Sequence, residues 1–195
     1  SDYLQKSLAD SNLDNVNIYD CTNQWGVFSI AGPNSRNFLR KIVVSEDPDK
    51  TLSNKEFPWL SYRDIEIGMC PVRALRVAYT GELGWELHHP IEMQNYLLDI
   101  LLSAGEEFDL KLVGARAQNW LRQEKSYKAF GSDLGRDAGP FESNLNRFVD
   151  INKNFLGKKA LLNRKTEVSC VTLLIDGPGD IDPWGREALY NESEE

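Results

Sequence analysis

Two residues with side chains suited to ligand binding, Tyr79 and Glu86, flank a short glycine-containing turn in the segment RALRVAYTGELGWELHHP. The residues before Tyr79 have strand character, and the residues around Glu86 form a second short strand after the turn. Gly81 and Gly84 are expected to supply the positive φ values that a tight loop needs. The pattern therefore predicts a hairpin that brings a phenol and a carboxylate together on adjoining strands.

This arrangement has two interpretations. A carboxylate beside Trp85 and Leu87 is costly to bury unless hydrogen-bond donors meet it. A ligand edge with adjacent N–H groups, such as the aminopyrimidinone ring of a pterin, can donate to both oxygens of one carboxylate. The alternative is that Glu86 points into solvent and Tyr79 packs in the core. The spacing alone leaves both interpretations open.

Composition and charge exclude several other classes of function. The chain has 195 residues, enough for one substantial core and a small second lobe. Its 22 Lys and Arg residues stand against 30 Asp and Glu residues, giving a net charge of −8 without a basic stripe, so no nucleic-acid partner is expected. No apolar run approaches the roughly 20 residues that span a bilayer, so no membrane role is expected either.

The supply of metal-ligating residues is also poor. The three cysteines, Cys21, Cys70 and Cys170, are far apart and have no CxxC spacing, which favours a reducing compartment and argues against a zinc site. The two histidines, His88 and His89, are adjacent; both are expected to be exposed, and neither is assigned a role. The sequence therefore predicts no metal site.

Hydrophobic periodicity predicts strands and helices that alternate irregularly, which is typical of the α+β class with mixed or antiparallel sheets and packed helices. The predicted helices lie near residues 2–9, 35–43, 93–104, 113–124, 141–148 and 154–165. The predicted strands lie at 16–19, 25–30, two within 62–79, one around 86 and one at 168–176.

Several segments together resemble one known family. YTGELGWEL is similar to the YTGExGxE signature of the folate-binding, aminomethyltransferase-like family, which includes the T-protein of the glycine cleavage system and the C-terminal halves of dimethylglycine and sarcosine dehydrogenases. Three further segments, VFSIAGPNSRNFL, GARAQNWLRQEKSYKAFGSDL and GPFESNLNRFVDINKNFLGKKAL, also resemble family segments. The likeness covers residues 16–165 and is greatest for the dimethylglycine dehydrogenase branch.

The resemblance implies the T-protein folate-binding fold and a particular domain organisation. Residues 1–24 would end a preceding α+β subdomain, residues 25–160 would form the folate-binding domain, and residues 161–195 would begin a C-terminal β-barrel domain. The chain is expected to be a piece of a longer protein.

The resemblance also implies roles for individual residues. Glu86 matches the glutamate that holds the pterin ring of tetrahydrofolate, and Tyr79 matches a tyrosine that lines the same pocket. Gln118 stands where T-proteins have a folate-contacting arginine, and nearby Arg116 is a candidate contact for the glutamate tail. No catalytic residue is expected in this chain, because the family's catalytic aspartate lies upstream of Ser1.

Three other polar residues match recurring positions of the family but have structural interpretations. Arg122 is expected to fix helix packing or tie down a loop. Asp133 is expected to cap a turn, and Glu142 to lie near a helix N-terminus.

The reaction implied by the resemblance is one-carbon transfer. FAD in a covalently linked N-terminal domain, absent from this chain, would oxidise a small N-methyl amine, and tetrahydrofolate would take up the carbon as 5,10-methylenetetrahydrofolate. Two alternatives stay open: a stand-alone glycine cleavage T-protein, and a non-catalytic module like the regulatory subunit of pyruvate dehydrogenase phosphatase. The implied compartment is a bacterial cytoplasm or the mitochondrial matrix, and residues 1–195 alone are expected to be inactive.

Overall fold

The computed structural model describes residues 2–11, 13–165, 168–177, 188 and 190. The chain divides into two compact units, Ser1–Tyr127 and Lys128–Glu195. The domain divisions at residues 24 and 160 that the sequence indicates stay predictions.

The first unit contains a four-stranded antiparallel sheet. Its strands occur in the order β1-β4-β3-β2, and each neighbouring pair runs antiparallel. The strands are β1 (Trp25–Ala31), β2 (Tyr62–Ile67), β3 (Cys70–Leu75) and β4 (Gly84–Pro90). Helices pack on one face of this sheet, so the predicted α+β class is confirmed.

Helices occupy most of the predicted positions. The described helices are α1 (Asp2–Ala9), α2 (Ser35–Ile42), α3 (Pro48–Thr51), α4 (Gln94–Gly105), α5 (Ala115–Glu124) and α6 (Lys158–Asn163). Short 3₁₀ turns lie at Ile91–Met93, Glu106–Phe108 and Asn146–Phe148. In the part of the chain that the structure describes, no helix is both long and apolar enough to cross a bilayer.

The core lies between one face of the sheet and the helices α2 and α4. Alternate residues of each strand point to the same face, and apolar residues four apart on a helix share one side. Burial of a large apolar side chain contributes roughly 1.5–3 kcal/mol. The buried apolar residues are Phe38, Leu39, Val43, Leu52, Phe57, Ile67, Cys70, Val72, Ala74, Trp85, Leu87, Leu97 and Leu101.

Two predicted strand segments of the first unit are corrected. Residues 16–19 are not a strand; Val16, Ile18 and Tyr19 are exposed there and form no ladder with the described strands. The second correction is that β3 ends at Leu75 rather than at Tyr79. Beyond β3 the N–H of Val77 donates to the carbonyl of Leu75 at 2.9 Å, which turns the chain away from its neighbour strand.

The second unit contains less regular structure than the sequence indicates. The helix predicted over 141–148 is only the 3₁₀ turn Asn146–Phe148. The strand predicted over 168–176 is absent, since these residues form no ladder with any described strand. A strand is stable only when its backbone groups pair with a neighbour. The start of a β-barrel domain was predicted at residues 161–195; beyond residue 177, this segment lies almost wholly outside the described residues.

Glu142 has the structural role that the sequence indicates, although the segment that begins near it is a turn. Its Oε2 accepts a hydrogen bond from the Gly139 N–H at 2.5 Å and another from Arg164 Nε at 2.7 Å. These bonds lower the pKa of the Glu142 carboxyl, with the Gly139 N–H as the largest cause. The carboxylate therefore ties together the two ends of residues 139–164.

Candidate functional site

Strand β4 separates its side chains cleanly between the two faces of the sheet. Trp85, Leu87 and His89 point into the core and have no exposed surface. Glu86 and His88, which alternate with them, lie on the opposite face and are partly exposed. The period-two geometry of a strand thus places the predicted ligand-binding carboxylate outside the hydrophobic core.

Glu86 and His88 form a polar pair on that face. The Oε2 atom of Glu86 lies 3.2 Å from Nε2 of His88, and the two side chains are 35% and 29% exposed. Ser29 on β1 and Leu75 on β3 lie directly opposite Glu86 in the two neighbouring strands. Because the imidazole occupies one carboxylate oxygen, the other oxygen is left to accept from a ligand N–H group.

Tyr79 does not lie opposite Glu86, so the predicted cross-strand pair is wrong. Leu75 occupies the position opposite Glu86, and Tyr79 lies in the loop between β3 and β4. Its side chain is exposed, and its ring centroid lies 6.3 Å from that of Tyr127. Whether Tyr79 contacts a ligand stays a prediction.

The two glycines of the turn have different reasons to be glycine. Gly81 has a φ of +72°, as the sequence predicts. Gly84 was also expected to have a positive φ, which is wrong, because it is the first residue of β4. A Cβ at Gly84 would lie 2.5 Å from the carbonyl oxygen of Ile30 and 2.8 Å from the Cβ of Ala78. Glycine is required at position 84 because β1 lies so close to it, and not because its φ is positive.

A cavity of about 570 Å³ lies beside β1, which is an edge strand of the sheet. Ser29, the residue opposite Glu86, lines the cavity, but Glu86 itself does not; it lies on the neighbouring strand, one strand spacing of about 4.8 Å from Ser29. Most of the lining is apolar and comes from β1, α4 and residues 108–113. The size and the mainly apolar lining are typical of a small-molecule site.

Two signature residues that the sequence interpretation did not select line this cavity. They are Thr80 and Glu82, within YTGE. The Oγ1 atom of Thr80 is buried and has no hydrogen-bond partner among the described residues. Because buried hydroxyls are nearly always hydrogen-bonded, this atom indicates a missing polar partner in the cavity. The signal available in the sequence was a hydroxyl residue directly between Tyr79 and the turn glycine.

The two candidate residues of α5 have different positions. Gln118 is partly buried and lines the cavity, whereas Arg116 is exposed and is not part of the lining. The structure therefore brings Gln118 to the same cavity as Ser29 and Thr80. The roles of Tyr79, Glu86, Gln118 and Arg116 in binding stay predictions.

His89 was expected to be exposed, and this is wrong. It is fully buried, its Nδ1 lies 2.9 Å from the carbonyl oxygen of Leu87, and its ring stacks on Phe28 with centroids 4.9 Å apart. The strand alternation of Trp85 and Leu87 was the signal that places His89 inside.

Two other polar residues have structural contacts of the expected kind. Arg122 is buried and donates from Nη1 to the carbonyl of Tyr127 at 2.7 Å and from Nε to Oδ1 of Asn119 at 2.9 Å. In the second unit, Oδ2 of Asp133 accepts from the Ala129 N–H at 2.9 Å, closing a turn.

Among the described residues, no three His, Cys, Asp or Glu side chains cluster as metal ligands.

The fold and the site define an α+β domain with a mainly apolar, ligand-sized cavity at the edge of an antiparallel sheet. Residues 1–153 match the GCVT N-terminal domain family, so the chain belongs to this family. The match covers the sheet and all the cavity-lining residues.

The relatives in this family are named as enzymes. The chain is 40% identical to mitochondrial dimethylglycine dehydrogenase of Mus musculus over 182 residues, covering 90% of this chain and 20% of the relative. It is 31% identical to an aminomethyltransferase of Natranaerobius thermophilus over 164 residues, covering 82% of this chain and 43% of that enzyme. It is also 34% identical to the formaldehyde-forming 4-methylaminobutanoate oxidase of Paenarthrobacter nicotinovorans over 147 residues, covering 74% of this chain and 17% of that enzyme.

A solved structure of heterotetrameric sarcosine oxidase from Corynebacterium sp. U-96 is also similar, with a TM-score of 0.45 and 23% identity; the likeness covers 58% of this chain and 52% of that one. The chain spans about a fifth of the length of the dimethylglycine dehydrogenases that it matches.

Proposed function

We propose that this chain is the tetrahydrofolate-binding portion of an FAD-dependent N-methyl amine dehydrogenase of the dimethylglycine or sarcosine type. The higher identity to dimethylglycine dehydrogenase than to the aminomethyltransferase supports this class over a stand-alone aminomethyltransferase. FAD would belong to a linked domain outside this chain, and the compartment would be the mitochondrial matrix or a bacterial cytoplasm.

The observation that carries the proposal is the cavity beside β1, with Glu86 on the neighbouring strand outside its lining. A flat heterocycle with a polar rim fits a mainly apolar cavity of about 570 Å³ that contains a buried, unpaired hydroxyl at Thr80. The amide of Gln118 offers both a donor and an acceptor in the same lining. The residues present therefore fit a folate ring system.

Each residue has a distinct task in this proposal. Glu86 does not line the cavity, so the proposal requires the pterin edge to reach past Ser29 to the free oxygen of Glu86. His88 holds the carboxylate in place through Oε2. Thr80 and Gln118 fix the orientation of the ring, and the apolar lining excludes water from it. When bound, tetrahydrofolate supplies the amine nitrogens that take up the one-carbon unit as 5,10-methylenetetrahydrofolate. The chain itself acts by binding and orientation.

The test is substitution of Glu86 by glutamine in the full-length protein. The change replaces a charge-assisted acceptor by an amide that mismatches one donor, so tetrahydrofolate binding should weaken by about 1–3 kcal/mol, or roughly 5- to 150-fold. Isothermal titration calorimetry measures the dissociation constant directly. Glu66→Gln is the matched control, because Glu66 is an exposed glutamate on β2 of the same sheet and lies outside the cavity lining.

An unchanged dissociation constant for Glu86→Gln would remove this carboxylate from the site. An equal loss in the Glu66 control would attribute the effect to overall charge. A full-length protein that binds tetrahydrofolate but neither holds FAD nor oxidises N-methyl amines would favour the stand-alone aminomethyltransferase. A protein without folate affinity would favour the non-catalytic regulatory module.

A further inference from the structure

Two arginines lie against the same buried indole in the first unit. The guanidinium carbon of Arg36, on α2, is 5.4 Å from the ring centroid of Trp85, and that of Arg76, just after β3, is 5.8 Å from it. Trp85 has no exposed surface, and both arginines are partly buried. Cation–π contact accounts for part of this arrangement, but it leaves the N–H groups of the cluster unexplained.

Three buried N–H donors in this cluster have no hydrogen-bond partner within the described residues. They are Nη1 of Arg36, Nε of Arg76 and Nε1 of Trp85. The bonds that the arginines do make go to neutral acceptors: Nη2 of Arg36 donates to Oδ1 of Asn54 at 2.7 Å, and Nη1 of Arg76 donates to the Phe57 carbonyl at 2.6 Å. Because buried donors are nearly always paired, each of these three N–H groups calls for an acceptor that the described residues do not supply.

The positive charge of the cluster is also uncompensated. In the described part of the chain, neither Arg36 nor Arg76 forms an ion pair, although Arg40 pairs with Asp49 at 2.9 Å. Burial lowers the pKa of both guanidinium groups, and the charges of Arg76 and Arg40 lower that of Arg36 further. Neighbouring cations without a counter-charge are unfavourable, and an anion would remove that cost.

A small cavity lies beside Arg76. It has a volume of about 120 Å³ and is lined by Arg76, Trp59, Tyr127 and residues of the segment 77–84, whereas Arg36 and Trp85 are not among its lining residues. Glu82 also contributes to the lining, but its side chain is exposed, so its charge is screened by solvent. This volume is that of a few water molecules, so only a small ligand group fits in it.

We propose that Arg36 and Arg76, with the indole N–H of Trp85, bind a small oxyanion: a carboxylate or phosphate group. Guanidinium groups recognise both, because two parallel N–H donors match two oxygens of either group. The site is separate from the 570 Å³ cavity beside β1, since neither arginine contributes to that lining. It also stands whether or not the protein binds folate.

Calorimetric titration of the full-length protein with sodium phosphate and, separately, sodium acetate tests the site at constant ionic strength. Saturable binding of at least one anion is expected, and comparison of the phosphate and acetate titrations shows which of the two groups the site binds. Arg36→Gln and Arg76→Gln should each weaken that binding at least tenfold. Arg63→Gln should leave it unchanged, because Arg63 is already paired with Glu56 at 3.2 Å.

A measurement on the wild-type protein covers the case in which the arginine variants do not fold. The bound anion should raise the thermal unfolding midpoint with a saturable concentration dependence, whereas sodium chloride of equal ionic strength should not. Absence of saturable binding by both anions would overturn the proposal and assign water to the unpaired donors. Equal effects of chloride and the oxyanions, or binding that folded Arg36→Gln and Arg76→Gln retain in full, would overturn it as well.

Discussion

The glycine at position 84 gives a sharp test of how β1 and β4 approach each other. In Gly84→Ala, the new Cβ would lie 2.5 Å from the Ile30 carbonyl oxygen, 2.8 Å from the Ala78 Cβ and 3.2 Å from the Ala31 Cα. Real Cβ atoms essentially never come within 3.0 Å of a heavy atom outside their own and the adjacent residues, so the neighbouring atoms must shift. Two of the three contacts are with β1 backbone, which is held by its ladder with β4.

The magnitude follows from two opposing effects. Overpacking of this kind costs about 1–3 kcal/mol. Loss of glycine freedom in the unfolded chain offsets about 0.4–1 kcal/mol. We therefore expect Gly84→Ala to lower the free energy of unfolding by about 1–2 kcal/mol, with a fall of about 2–4 °C in the thermal midpoint per kcal/mol.

Urea denaturation followed by circular dichroism and tryptophan fluorescence measures this change. The control is Gly114→Ala: a Cβ at Gly114 meets no described atom within 4 Å, and its backbone, with φ −78° and ψ 158°, suits alanine. The control should alter stability by less than about 0.5 kcal/mol. If Gly84→Ala is as stable as the wild type, the close approach of the two strands inferred here is wrong.

Two further changes probe the cavity and the second unit. Thr80→Val removes the buried unpaired hydroxyl, so it should stabilise the ligand-free protein by about 1 kcal/mol and weaken tetrahydrofolate binding, as measured by denaturation and calorimetry. Lower stability with unchanged binding would count against the cavity assignment. The pKa of Glu142 is lowered, so its bonds stabilise the fold above the ordinary carboxyl pKa and are lost as the pH falls through the lowered value. A carboxyl NMR titration should show that Arg164→Gln raises this pKa only in part, because the Gly139 N–H is the larger cause; full return to the ordinary value would contradict this order.

Local patterns predicted the elements that carry most of the core. The spacing of Phe38 and Leu39 indicated α2, and that of Leu97 and Leu101 indicated α4. Both helices form where expected because their apolar faces are buried against the sheet. In contrast, residues 16–19 have a strand-like composition and form no strand, since composition cannot supply a pairing partner.

In the candidate site, too, local features were predictable and contacts across the sheet were not. The signature pointed to the turn between β3 and β4, and Glu86 lies on the outer face of the sheet as strand alternation requires. The partner across the sheet was not predictable, because the observed register pairs Leu75 with Glu86, and a γ-turn after Leu75 leaves Tyr79 in the loop. A shift in register changes every cross-strand neighbour.

The sequence by itself determined the family, through the likeness of its motifs, and also the fold class and most of the helices, which depend on periodicity and on residue types along the chain. Only the tertiary structure decided that Thr80, Gln118 and Ser29 share one cavity, and that two arginines meet at Trp85. Contacts between distant segments depend on strand register and helix packing, which no local pattern encodes.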